Sequence, residues 1–218
     1  MAKDPAYDAI AKARRQEESG NPQGAADTLE KYLQEDPHNV APRIELARVY
    51  CYSLNDKNQG LFQLDIVLDL EPENVDALKA MTTIKMQNKR FNRETDEIFQ
   101  RLLPLVAKRK DPKEYAAVAA QYAVFLRKQM TDFKKSAEYY EKATRADPDR
   151  YEYHQDYAVL LLNDLRDYVK AKHELEEVLR LKPNNLSVRN NYERLMREKF
   201  DADGNPKKSL KERLFGRH

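Results

Sequence analysis

The chain has 218 residues, of which 35% are charged and 41% apolar or aromatic, with only 5 glycines and no tryptophan. That balance suits surface-rich amphipathic helices and argues against all-β and glycine-rich dinucleotide-binding architectures. The formal charge of +2 hides a basic end: from Lys207 to His218, Lys207, Lys208, Lys211, Arg213 and Arg217 face Glu212 alone, so the body before them is slightly acidic.

The N-terminal Met-Ala-Lys-Asp-Pro carries no apolar stretch, so no secretory signal is expected and the cytoplasm is the expected compartment. Further along, the prolines mark an internal repeat. Pro37 and Pro72 are 35 residues apart, as are Pro148 and Pro183, and Pro112 lies between the two pairs. Four of these prolines end an amphipathic run, at Glu35–Pro37, Leu70–Pro72, Ala146–Pro148 and Leu181–Pro183. Proline lacks an N–H and disfavours the α conformation of the residue before it, so it stops one helix and starts the next.

Each unit predicts two helices. The second carries a small residue, a large one four on, and another three further on: Ala25, Leu29 and Tyr32, then Gly60, Leu64 and Val67. Ser136, Tyr140 and Ala143 follow, then Ala171, Leu175 and Val178. That spacing is the seam of a helix packed on a neighbour. The first helices align on an alanine, in Leu46–Tyr50, Tyr122–Leu126 and Tyr157–Leu161, with an aspartate nine residues later (Asp56, Asp132, Asp167) at the turn within the unit. Cys51, the single cysteine, lies inside an apolar pattern and reads as a buried structural thiol.

These positions resemble the tetratricopeptide repeat (TPR) family. Gly20-Asn21, Thr131-Asp132-Phe133 and Arg166-Asp167-Tyr168 fill its turn, and Ser136–Pro148 is especially close to its consensus. The resemblance covers roughly residues 6–200 and implies an all-α fold. The expected form is a TPR-type α-solenoid of about five helix-turn-helix repeats plus a C-terminal capping helix. An array over 1–200 is expected, with units at about 6–39, 40–74, 75–111, 112–149 and 150–184, a capping helix at 185–200 and a basic tail at 201–218. Several units run one residue beyond the usual 34, and the third is degenerate: Thr82 takes a small position, Phe91 the turn aromatic, and a longer or kinked helix near Pro104 is expected.

No catalytic motif, nucleotide loop, cofactor signature or metal-ligand spacing is present. His38, His154, His173 and His218 form no paired spacing, and Glu17-Glu18 and Glu176-Glu177 read as solvated helix faces. Asp201, Asp203, Asn205 and Glu212 fall at calcium-loop spacing, but Pro206 replaces the glycine such a loop needs and Lys208 brings a charge. The stretch therefore reads as a polar turn without metal.

The resemblance implies an interaction scaffold or adaptor, not an enzyme, whose first helices line a concave groove for a peptide or helix of another protein. Matching positions place Arg14, Arg48, Lys79, Thr83 and Met86 in that groove, with Gln121, Val124, Arg127, Lys128, Gln155 and Val159 further along. Its cations favour an acidic or C-terminal segment. The lysine/asparagine clamp of some co-chaperone members is not reproduced, because Ile10 and Arg14 stand at its positions. Two alternatives remain. From Lys85 to Lys113 nine cations face four acids, a surface for nucleic acid, although it lacks interleaved aromatics apart from Phe91 and Phe99. Leu210, Leu214 and Phe215 could make the basic tail a short amphipathic helix that docks on a partner, on the array itself or on an anionic membrane, the last reading being a membrane-peripheral assembly factor.

Overall fold

The computed structural model describes residues 4–207, and within them it contains eleven α-helices. The chain divides into two compact units, one ending at Arg109 and the other beginning at Lys110. The first holds α1 (Pro5–Glu18), α2 (Pro22–Glu35), α3 (Val40–Arg48), α4 (Lys57–Leu70), α5 (Val75–Lys85) and α6 (Asn92–Lys108). The second holds α7 (Pro112–Phe125), α8 (Phe133–Ala146), α9 (Tyr151–Leu160), α10 (Tyr168–Leu181) and α11 (Leu186–Lys199). Consecutive helices pair as α1/α2, α3/α4, α5/α6, α7/α8 and α9/α10, with α11 laid on α10.

The small residues explain the pairing. Ala13 with Ala25, Ala123 with Ser136 and Ala158 with Ala171 are each buried at the seam of one helix pair. Without large side chains there, the backbones approach closely enough for Ser136 Oγ to donate to the Ala123 carbonyl at 2.8 Å. Around each seam the larger apolar residues vanish from solvent: Leu29 and Leu46 in the first unit, Tyr140, Leu160 and Val178 in the second. Each such burial contributes about 1.5–3 kcal/mol.

The second helices start alike. Asn21, Asp56, Asp132 and Asp167 each accept a hydrogen bond from the backbone N–H three residues on, at Gly24, Gln59, Lys135 and Lys170. Such caps satisfy donors that have no partner inside the helix and are worth about 1 kcal/mol each.

The extra residue of the longer units has a defined place. The seam alanine is seven residues before the left-handed turn residue in α1/α2 (Ala13 to Gly20) and eight before it in three later pairs (Ala47 to Asn55, Ala123 to Thr131, Ala158 to Arg166). In those three pairs the first helix ends in a π-helical turn, at Val49–Ser53, Leu126–Met130 and Leu161–Leu165. The cap N–H reaches the carbonyl five residues back in α1 (Asn21 to Gln16) but six back in the others (Asp56 to Tyr50, Asp132 to Leu126, Asp167 to Leu161). A π turn absorbs one inserted residue without moving the seam.

The third pair solves the same problem differently. The segment after α5 passes through a 3₁₀ turn at Lys89–Phe91, and α6 runs 17 residues with Pro104 inside it. Thr82 and Thr95 stand at its seam, both fully buried. Each satisfies its hydroxyl on its own helix region, at the carbonyls of Lys79 and Phe91. After α11 the chain turns at Asp201–Asn205, where Asp201 Oδ1 accepts from the N–H groups of Asp203 and Asn205.

Candidate protein-binding surface

In the first unit, Arg14 on α1 and Arg48 on α3 meet at one carboxylate. Arg14 donates to both oxygens of Glu45, at 2.7 and 3.2 Å, and Arg48 donates to the same group at 3.1 Å. Arg48 also pairs with Glu17, which accepts from Ser53. Burial opposes ionisation of Glu45, but the two guanidinium groups outweigh it and hold the carboxyl below its ordinary range. Glu17 is therefore not on a solvated face, contrary to the sequence expectation: its side chain keeps 13% of its exposure, because α3 packs on α1 and brings Arg48 over it.

Beside Arg48 is an apolar recess of about 210 Å³. Ile44 and Ala47 of α3, Leu64 of α4, Ala80 and Ile84 of α5, and the largely exposed Tyr52 line it. Sequence reasoning named Arg48 and missed these apolar neighbours. Their signal was present in the helical spacing of Ile44 with Ala47 and Arg48, and of Ala80 with Ile84. Lys79, Thr83 and Met86 are half-buried on α5 and its C-terminal end. The Thr83 hydroxyl is spent on the Lys79 carbonyl at 3.0 Å.

In the second unit, Arg127 pairs with Asp164 at 2.6 Å, joining the π turns that end α7 and α9. Arg127 and Lys128 both lie close enough to Asp156 to oppose the upward effect of burial on its carboxyl. Gln155 accepts from Asn185, the cap of α11, at 3.3 Å. Gln121, Val124 and Val159 are half-buried, and Val124 packs on the apolar core of this unit.

Three cations of the basic stretch from Lys85 to Lys113 have partners within the first unit. The stretch straddles the boundary between the units. Lys85 pairs with Glu94, Arg93 with Glu97, and Arg101 donates to the Pro72 carbonyl. Leu210, Leu214 and Phe215 lie outside the described residues, as do Lys208 and Glu212.

His154, unpaired in the sequence reading, has partners. It is buried on α9, with Nδ1 2.7 Å from Glu174 and Nε2 3.0 Å from the Pro148 carbonyl. The pattern recurs at Arg43, which donates to the Pro37 carbonyl and to Gln63, and at Arg189, which donates to the Pro183 carbonyl. A residue six past the unit's proline thus folds back onto the proline carbonyl, and in two units it also reaches a side chain twenty residues on. No spacing rule for catalysis or metals would find this structural latch.

Among the described residues no three His, Cys, Asp or Glu side chains are grouped to hold a metal ion. No helix there is long and apolar enough to cross a membrane.

Paired helices with small-residue seams, Asx-capped second helices and a proline at the end of most units are the features of a TPR-type α-solenoid fold. The tetratricopeptide repeat family model itself matches residues 17–53. Solved structures agree on the fold over most of the chain. MamA (41-end) from Desulfovibrio magneticus RS-1 is 18% identical, with 85% of this chain and 99% of that one covered and a TM-score of 0.68. Pseudomonas aeruginosa PilF is 19% identical, with 98% and 93% covered and a TM-score of 0.65. A thermophilic TPR protein of Thermus thermophilus is 17% identical, with 88% and 98% covered and a TM-score of 0.52. At these identities the likeness establishes fold alone. No curated protein matches the chain in sequence.

Proposed function

We propose that the chain is a protein–protein interaction scaffold that holds a peptide or helix of a partner against the exposed side of its first helices. The observation that carries this reading is the apolar recess beside Arg48, lined by Ile44, Ala47, Ala80 and Ile84. A leucine-sized side chain entering it leaves water for contact worth about 1.5–3 kcal/mol. Around it, Glu17 and Glu45 already balance Arg14 and Arg48. Apolar contact therefore supplies the affinity, and an acidic residue on the partner gains by exchanging with Glu17 or Glu45 at Arg48, which sets register. In the second unit Val124, Val159 and the Arg127–Asp164 pair offer the same mixture of apolar contact and exchangeable charge.

The test is capture of partners from lysate of the source organism by the wild-type chain and by Ala80→Phe, which fills the recess and leaves Arg48 in place. A protein held by the wild type and lost by an equally stable variant supports the reading. A partner held equally by both overturns the recess as its seat.

A further inference from the structure

A second cavity in the first unit, of about 490 Å³, lies between the start of α4 and the turn at residues 87–91. Its charged lining is wholly cationic: Lys57, Lys89 and Arg90, joined by the amides of Asn58, Gln87 and Asn88 over Leu61 and Ile84. We propose that this cleft binds the phosphate of a phosphorylated serine or threonine on a peptide segment.

The cations are positioned but not neutralised. Lys57 Nζ donates to the Gln87 amide oxygen at 2.7 Å, a neutral acceptor that orients the ammonium and leaves its charge in place. The Arg90 backbone is fixed by Asn88 Oδ1 at 3.1 Å, and its guanidinium lies 4.5 Å from the centre of the Phe91 ring. Of the carboxylates nearby in sequence, Glu94 is paired with Lys85, and Asp56, which caps α4 through the Gln59 N–H, keeps its charge but does not line the cavity. A phosphomonoester carries about −1.5 to −2 charges and three strong acceptor oxygens at neutral pH, which matches three converging cations better than a single carboxylate does.

The same geometry favours a peptide over nucleic acid. Single-stranded nucleic acid needs open aromatic faces and a track of cations. Here Phe91 carries Arg90 and, at 5.4 Å, Lys85 against its ring, and the three cations converge on one cavity. Leu61 and Ile84 provide an apolar floor for residues flanking the phosphate.

The experiment is an amide NMR titration of the full chain with four probes: a phosphoserine pentapeptide, its unphosphorylated twin, inorganic phosphate and a ten-nucleotide oligothymidine. The expected result is saturable shifts at residues 57–61 and 84–91, with the phosphopeptide at least about tenfold tighter than its twin. Lys57→Gln/Lys89→Gln/Arg90→Gln should abolish the shifts with no change in Tm, since all three side chains are exposed. Ala80→Phe, which tests the recess, should retain them, so failure of one proposal is distinguishable from failure of the other. Equal binding of both peptides, or no localised shifts, overturns the proposal. So does inorganic phosphate that binds as tightly as the phosphopeptide, or oligothymidine that binds more tightly.

Discussion

Cys51 Sγ fills the space that a β-carbon on Gly60 would occupy. The sulfur would stand well inside van der Waals contact of that carbon, and the Ala47 carbonyl oxygen would lie 2.9 Å from it. The α3/α4 seam therefore uses glycine where the other seams carry alanine, serine or threonine, and the volume saved is taken by the thiol. Gly60→Ala should lower stability by about 1–3 kcal/mol despite the better helix propensity of alanine, because overpacking displaces a buried side chain. Cys51→Ala/Gly60→Ala should be less destabilised than the two single changes predict together. Urea denaturation in a double-mutant cycle measures this, and strict additivity would refute the contact.

Thr131 and Arg166 hold left-handed backbone, at φ 54° and 57°, in the turns where the first pair has Gly20 at φ 79°. For a residue with a β-carbon that conformation costs about 1–2 kcal/mol, offset partly by the greater freedom glycine has when unfolded. Thr131→Gly and Arg166→Gly should each stabilise the protein by about 0.5 kcal/mol, whereas Gly20→Ala should destabilise it by about 1 kcal/mol. Thermal melts of the three variants decide the sign.

The His154 latch should be sensitive to pH. Burial opposes the charged ring, but the hydrogen bond and charge of Glu174, the Pro148 carbonyl and nearby Glu177 outweigh it and raise the imidazole pKa above 6.5. Both ring nitrogens face acceptors, so the cation satisfies both. A raised folded pKa means the stabilisation is fully present below about pH 6.5 and is lost as pH rises through the folded value. Tm should accordingly decline from about pH 6.5 upward, and Glu174→Gln should cost about 1–2 kcal/mol at pH 6, because the buried ring loses its charged acceptor and sheds its proton. His154→Arg with Glu174→Gln copies the Arg43–Gln63 latch and should flatten that slope. A slope unchanged in the double variant would refute the assignment.

Glu45 has the opposite sign. Its lowered carboxyl pKa gives stability that is present above the unfolded value near 4.5 and is lost as pH falls through the folded one. Glu45→Gln should cost about 1–2 kcal/mol, because Arg14 remains largely in water while Arg48 is only partly so. It should also free Arg14 and loosen Arg48, which keeps Glu17, and so raise the affinity of this face for an acidic peptide. Chemical denaturation at pH 7 and pH 4, with titration of a glutamate-rich peptide, tests both expectations. Unchanged affinity would argue against exchange of carboxylates at Arg48.

The repeat was legible because it is a local pattern. Prolines 35 residues apart, seam alanines and Asx caps each act within a few residues of the backbone they control, so reading them in order yields helix pairs. The degenerate pair was legible as a departure: Thr82 and Pro104 announced it, although the buried Thr95 at its seam went unremarked. The candidate surface was legible only in outline. Arg14, Arg48 and Arg127 were found as positions, but their partners Glu45, Glu17 and Asp164 are 31 to 37 residues away for all but one contact, and nothing local announces such a pairing.

By itself the sequence determined the helices, their pairing and the family they resemble, since periodicity, capping and proline sterics are properties of short stretches. Tertiary structure decided the electrostatics. Packing α1 against α3 turned two apparent groove cations into one side of a balanced network. Folding the segment after α5 back onto α4 drew Lys57, Lys89 and Arg90 around one cavity without an opposing carboxylate in its lining. The physical reason is range: helix signals act over three or four residues, while a charge is set by whatever the fold brings within a few ångströms of it.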